Sequence, residues 1–263
     1  MDVAGQRWVV TGAASGIGDA VARDLTARGA SVISLDRNAP AAEVAQHIAV
    51  DLADPATIDS AIAQLEGDVD VLANVAGVPG TMPGDFVFKV NFLGMRHLTE
   101  AMFERIKPGG AIVIVSSTAG FGWPRRLETI RGLLATGSFA EGLEWYEAHP
   151  QEGNAYNFAK EAATVYTLSM GPSVRSKHDL RINAVLPGPV ETPILKDFED
   201  SMGKDVLDGV KRLVGRHATR EDIAPAVVFL GARESRWVNG STVTADGGVT
   251  GAMAVGAVLA PSS

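Results

Sequence analysis

The sequence contains no cysteine, which excludes a disulfide framework, a thiolate metal site and a catalytic thiol. That absence fits a reducing compartment. The 5 histidines, His47, His97, His149, His178 and His217, are scattered, and none forms the paired spacing of a zinc-binding helix, so no metal is expected. Nor is there a run of the roughly 18 apolar residues that a membrane helix needs; the stretch 110–115 and the tail 251–260 are too short. The first dozen residues lack the basic start and apolar stretch of a secretory signal, so a cytoplasmic protein without membrane contact is expected. Basic residues are outnumbered 23 to 31, a net charge of −8. A nucleic-acid binder carries the opposite sign, and no nucleic-acid partner is expected. Internal repeats and low-complexity blocks are absent as well, which excludes a solenoid.

What is present is ordinary for a chain with a sizeable core: 46% hydrophobic and 21% charged residues. At 263 residues, one domain, 1–263, suffices. Short β-branched runs at 7–11, 31–36, 47–50, 69–74, 111–116, 180–186 and 241–245 are apolar on consecutive positions, as strands buried on both faces are. Between them lie helical windows at 17–28, 55–65, 91–106, 156–176 and 221–231. The alternation predicts an α/β fold, a parallel sheet of about seven strands covered by helices on both sides. Ligands of such sheets bind outside the carboxyl ends of the strands, where strand order reverses.

One stretch breaks the rhythm. Between the strand ending at Ser116 and the helix opening near Tyr156, a segment at about 120–153 carries its own pattern. Leu127, Ile130, Leu133 and Leu134 recur at helical spacing, and Phe139, Leu143, Trp145 and Tyr146 follow after Thr136-Gly137-Ser138. A helical insertion is predicted, because structureless loops of this length are uncommon. Its apolar stripes have three possible partners: the body of the domain, a substrate pocket, or another subunit.

Residues 8–18, WVVTGAASGIG, run from a strand through Gly12, Ser15, Gly16, Ile17 and Gly18 into a helix. Glycines there permit a tight turn and let backbone N–H groups approach a pyrophosphate at the helix N-terminus. The second strand ends in Asp36, where a carboxylate can accept both hydroxyls of an adenosine ribose and repel a 2′-phosphate, which favours NAD as cofactor. Arg37 beside it can pair a phosphate, but the strand-terminal carboxylate weighs more. Asp51 and Leu52, closing the third strand, are placed to reach the adenine.

Tyr156 and Lys160 lie four apart, on one face of a helix. An ammonium beside a phenol lowers the phenol's pKa toward the working range, which would make Tyr156 a general acid/base. Ser117, at the carboxyl end of the fifth strand, can donate to a developing alkoxide. Asn91, after Val90, is either a helix N-cap or the holder of a water behind Lys160.

Together these segments resemble one family. TGAASGIG (11–18), NVAG (74–77), VNFLG (90–94), VSS (115–117), YNFAK (156–160), LPGPVETP (186–193) and ADGG (245–248) stand in the order of the short-chain dehydrogenases/reductases. The resemblance spans nearly the whole chain and implies a single-domain, Rossmann-type doubly wound sheet. It implies an NAD(P)-dependent oxidoreductase with Asn91, Ser117, Tyr156 and Lys160 as catalytic tetrad. It also implies that Asn74, Ala76 and Gly77 line the cofactor channel, that Pro187 and Gly188 face the nicotinamide, and that Val190 and Thr192 hold its carboxamide. The partners implied are a small-molecule alcohol or carbonyl compound and further copies of the chain, as homodimer or homotetramer.

Within the family, the separation of 39 positions from Ser117 to Tyr156 is a departure. An insertion there looks like that of the bacterial hydroxysteroid dehydrogenase/carbonyl reductase branch. Segments such as NVAGVPGT (74–81), GFGWPRRL (120–127) and ESRWVNG (234–240) more closely resemble the coniferyl-alcohol dehydrogenase branch. A bulky apolar or aromatic alcohol is therefore expected as substrate, with Trp123, Leu127, Trp145, Tyr146 and Leu195 as candidate walls. The insertion and residues 194–213 are expected to enclose a pocket without a charged anchor.

Overall fold

Trp8 and Val9 are neighbours in the first strand, fully buried, and belong to different cores. Successive side chains of a strand point to opposite faces, so one sheet is sandwiched between two apolar layers. The computed structural model describes residues 1–192, 195 and 204–257. Its central sheet contains β1 (Arg7–Thr11), β2 (Ser31–Asp36), β3 (Gln46–Ala49), β4 (Val69–Asn74), β5 (Ile106–Val115) and β6 (Arg181–Pro187). After a two-stranded ribbon of β7 (Val190–Glu191) and β8 (Ala218–Thr219), β9 (Ser241–Ala245) completes it. The order is β3-β2-β1-β4-β5-β6-β9 and every pairing is parallel. The sequence-based expectation of a seven-stranded, doubly wound sheet is met.

Strand order reverses between β1 and β4, and the crevice opens at their carboxyl ends. Thr11 ties the two together: its hydroxyl oxygen accepts the N–H groups of Val75 and Ala76 at 2.9 and 3.0 Å. On one face, α1 (Gly16–Ala27) and α9 (Arg220–Gly231) pack Val21, Leu25, Val227 and Val228 against Trp8, Val10 and Val32. A Cβ on Gly231 would collide with the Trp8 ring, so the tryptophan occupies the space that this glycine leaves. On the other face lie α2 (Pro55–Ala63), α4 (Met95–Ala101) and α7 (Ala155–His178).

Two elements differ from the sequence-based reading. The helix expected over 91–106 starts earlier, as α3 (Gly84–Phe88), and passes through a π-helical stretch, Lys89–Gly94, before α4. Asn91 is therefore inside a helix and is not its N-cap. A further helix, α8 (Lys204–Val214), fell in no predicted window. The chain ends, among described residues, in α10 (Val249–Ala254). Much of the 194–213 segment and the end of the 251–260 tail lie outside the described residues.

The insertion is helical, as its spacing predicts. After a 3-10 stretch, Thr118–Arg126, come α5 (Leu127–Leu134) and α6 (Phe139–Ala148). Ser138 caps α6, its hydroxyl accepting the Glu141 N–H at 3.2 Å. Ile130 and Leu133 are fully buried in the same core as α7, so the insertion packs on the body of the domain. Among the described residues, no helix is long and apolar enough to cross a membrane.

Candidate active site

A cleft of about 380 Å³ runs along the carboxyl ends of the strands, from Asp36 at one end to Ser117 and Tyr156 at the other. Gly12 and Gly16 have φ of 72° and 54°, a region that side chains disfavour. A Cβ on Gly12 would come within 2.8 Å of the Ala76 Cα, and one on Gly18 would collide with the Gly12 carbonyl. The turn is thus closed to larger residues. At the start of α1, Ser15 makes no side-chain cap, and Gly16, Ile17 and Gly18 line the cleft. Uncapped N–H groups at a helix N-terminus suit an anionic group.

Asp36 closes β2 with both oxygens engaged, accepting from Ala14 N at 3.0 Å and Asn38 N at 2.9 Å. Fixed in this way, its remaining lone pairs can accept hydroxyls from a ribose. Arg37, Asp51, Leu52, Ala76, Gly77, Pro187, Gly188, Val190 and Thr192 line the same cleft. The dinucleotide expected from the sequence fits this cradle: a bare helix N-terminus, a turn closed to Cβ atoms and a held carboxylate follow one another along it.

At the other end, Ser117 opens the 3-10 stretch, its Oγ accepting the Ala119 N–H at 3.1 Å. The Ser117 hydroxyl is near enough to the Tyr156 phenol to favour its ionised form. Tyr156 stands in the first turn of α7, which Asn154 caps by accepting the Tyr156 N–H at 2.7 Å. One turn on, the Lys160 ammonium lies 5.6 Å from the Tyr156 ring centroid. It donates to the Val115 carbonyl at 2.9 Å.

Burial dominates both ionisations. It pushes the Tyr156 phenol up to about 12, with the Ser117 hydroxyl pulling the other way. Burial also brings the Lys160 ammonium down to about 8. The expected lowering of the phenol by the ammonium is therefore not the governing effect in the protein alone. Lys160 spends its proton on a strand carbonyl, and neither group keeps the hydration that favours its charged form.

Asn91 and Asn74 are both buried and neither lines the cleft. The Asn91 amide is paired with one residue, its Oδ1 accepting Val78 N at 2.8 Å and its Nδ2 donating to Val78 O at 2.9 Å. Gly77 packs on this pair: a Cβ there would lie 3.2 Å from Asn91 Oδ1 and 3.7 Å from Lys160 Nζ. Asn91 thus shapes the loop after β4. Asn74 donates to Thr99 Oγ1 at 2.8 Å, anchoring β4 to α4.

The candidate substrate walls are mostly elsewhere. Tyr146 stacks on Phe88 with centroids 4.0 Å apart, and Trp145 stacks on His149 at 4.4 Å. With Phe158 they form an aromatic layer between α6, α3 and α7. Trp123 and Leu127 pack half-buried on the same core. Leu195 donates its N–H to the Thr192 carbonyl at 2.9 Å; most residues around it in sequence lie outside the described ones. The apolar side chains that do line the cleft include Val78, Phe86 and Val190. Phe86 was missed because the α3 start was missed, although Pro83-Gly84-Asp85 is a recognisable helix entry.

Residues 6–126 match the family described as short chain dehydrogenase, and 144–250 match the one described as Enoyl-(Acyl carrier protein) reductase. A coniferyl-alcohol dehydrogenase of Pseudomonas sp. strain HR199 is 40% identical over 250 residues, covering 95% of this chain and 98% of that one. The chain is a short-chain dehydrogenase/reductase. This short-chain dehydrogenase/reductase is also 28% identical to a 3-alpha-hydroxysteroid dehydrogenase/carbonyl reductase of Comamonas testosteroni, covering 93% of this chain and 96% of that one. Its fold is similar to the crystal structure of a 3-alpha-hydroxysteroid dehydrogenase from Pseudomonas sp. B-0831 complexed with NADH. The TM-score is 0.79 at 29% identity, over 95% of this chain and 98% of the other. The enzyme is accordingly a short-chain alcohol dehydrogenase/carbonyl reductase that uses a nicotinamide dinucleotide.

Proposed function

We propose that the enzyme uses NAD to interconvert a bulky apolar alcohol, aryl or allylic in kind, with its carbonyl compound. The observation that carries this reading is that Ser117, Tyr156 and Lys160 line the same cleft as the Asp36 carboxylate. Similarity to a coniferyl-alcohol dehydrogenase over nearly all of both chains supports the substrate class. So do the apolar linings Val78, Phe86 and Val190. Asp36 supports NAD over NADP, since its carboxylate repels a 2′-phosphate.

When bound, the nicotinamide accepts or donates the hydride. The protein's own residues position the substrate and handle the proton. Ser117 Oγ donates to the substrate oxygen and holds it within reach of Tyr156 Oη, an orientation that removes much of the barrier. In oxidation, Tyr156 Oη takes the alcohol proton, and in reduction it returns that proton to the carbonyl oxygen. Its protonated resting form suits reduction at neutral pH, and oxidation is favoured by alkali. Lys160 lies under the tyrosine ring and keeps a positive charge near Oη in its protonated form. Asn91 acts by holding Val78, and with it the wall of the cleft.

Initial rates of nicotinamide reduction over a panel of alcohols test this, each with NAD and with NADP. The panel holds cinnamyl-type alcohols, secondary aryl carbinols, 3α-hydroxysteroids and a small anionic hydroxy acid. NAD-linked turnover of the aryl and allylic alcohols supports the reading. A second reading, a hydroxysteroid substrate, is favoured by the likeness to two hydroxysteroid dehydrogenases, and steroid preference in the same panel selects it. Rapid turnover of the hydroxy acid alone contradicts both.

A further inference from the structure

Ser117 and Tyr156 line one cleft although they stand 39 positions apart in the chain. Most of the residues between them form the inserted helices, so something must close the insertion at its base. The seam between the 3-10 stretch and α7 is tight. Ser116 Oγ donates to the Lys160 carbonyl at 2.9 Å. A Cβ on Gly120 would lie 2.7 Å from that same carbonyl, and one on Gly122 would collide with Glu161 Oε1.

At the end of this seam is one ion pair. Arg126 Nη1 and Glu161 Oε2 are 3.5 Å apart, and the Glu161 side chain is 6% exposed. Neither atom has a hydrogen-bond partner among the described residues, so each is compensated by the other alone. Burial pushes the Glu161 carboxyl up and Arg126 pulls it down. With Glu161 buried and Arg126 27% exposed, attraction and desolvation largely offset each other, so net stability does not explain the pair. Its other contacts suggest what does. Arg126 Nη2 donates to the Glu152 carbonyl at 2.8 Å, and the guanidinium sits 5.8 Å from the centroid of the Phe158 ring. One side chain at the start of the insertion therefore holds its end, Glu152, and the opening turns of α7. Phe158 and Glu161 lie on a different face of α7 from Tyr156 and Lys160, so the grip acts on the catalytic helix from behind.

We propose that Arg126 and Glu161 are positioning residues. They form a latch that closes the insertion on α7 and sets the distance between Ser117 and Tyr156. The inference rests on the assignment of those two hydroxyls to the reaction. It predicts a defect in the chemical step with little change at the dinucleotide end of the cleft, which the latch does not touch.

The test compares Glu161→Gln, Arg126→Met, Arg126→Lys, the double variant R126M/E161Q and Tyr156→Phe with wild type. The measurements are kcat, KM for NAD and the melting temperature. Glu161→Gln keeps shape and removes only charge. It and Arg126→Met are each expected to lower kcat about tenfold, with KM for NAD within about twofold, because small misplacement of reacting groups is costly. The double variant should be no slower than the slower single, as for two halves of one contact. Arg126→Lys should fall between wild type and Arg126→Met. Wild-type kcat in both singles overturns the latch, and so do losses that multiply in the double variant. A loss of kcat that tracks a fall in melting temperature and a rise in KM for NAD overturns it too. Tyr156→Phe separates the two failures. If that variant is inactive while the latch singles behave as wild type, only the latch falls; if it is fully active, the Ser117–Tyr156 assignment falls first.

Discussion

A Cβ on Gly80 would lie 2.5 Å from both Oδ1 and Nδ2 of Asn154, the residue whose Oδ1 accepts the Tyr156 N–H and opens the catalytic helix. The loop after β4 and the start of α7 thus meet where neither has room for another carbon. Gly80→Ala is expected to force Asn154 out of its capping rotamer, at about 1 kcal/mol of unfolding free energy, the usual worth of such a cap. Urea denaturation measures this. In an Asn154→Ala background, Gly80→Ala should cost little more, because the cap has already gone.

Asp36 accepts the N–H groups of Ala14 and Asn38 and faces the cleft. Asp36→Ala should raise KM for NAD roughly tenfold or more, the loss expected for a charged acceptor. The preference for NAD over NADP should fall as the repulsion of a 2′-phosphate disappears. Steady-state kinetics with the two cofactors checks both. An unchanged ratio would assign the discrimination to Arg37 or its neighbours.

Lys160 links stability to pH. Its folded pKa, about 8, is depressed below the ordinary 10.5, so between these values the unfolded chain binds more protons. Its contribution is present above the unfolded value and is lost as pH falls through about 8. Lys160→Met removes that dependence. Wild-type stability minus variant stability should therefore rise from pH 7 to pH 10, about the span over which the folded and unfolded lysines titrate. Tyr156, raised to about 12, acts in the opposite sense and only above the ordinary phenol range. Denaturant midpoints across that range, for wild type and variant, give the sign directly.

Trp145 and Tyr146 are half-buried and pack against the core through Phe158 and Phe88. Tyr146→Ala is expected to cost about 2 kcal/mol, less than for a fully buried ring because Tyr146 is half-buried. The relative kcat/KM across a panel of alcohols should stay as in wild type. A changed ranking of substrates would instead make Tyr146 part of the pocket.

How much of this was legible in the sequence follows from the range of each signal. The strands announce themselves locally, because burial on both faces leaves consecutive apolar residues, as in the fully buried β6. The glycine turn, Asp36, Ser117, Tyr156 and Lys160 are likewise local in the chain, and the fold brings them to one cleft. What local spacing does not report depends on partners far away in sequence. Trp145 and Tyr146 are apolar whichever face they take, and Phe88 and Phe158, which decide the matter, sit on other elements. Asn91 carries no sign that its amide belongs to Val78. The direction of the Tyr156 shift depends on burial, which helix spacing does not report.

The central claim is that Tyr156 moves the proton while the cleft holds the dinucleotide independently of it. Its most direct test is Tyr156→Phe, assayed for NAD-linked oxidation of an aryl or allylic alcohol that wild type turns over, with NADH affinity measured by fluorescence titration. Loss of turnover with NADH binding close to wild type is the predicted result. Turnover at the wild-type rate would contradict the account.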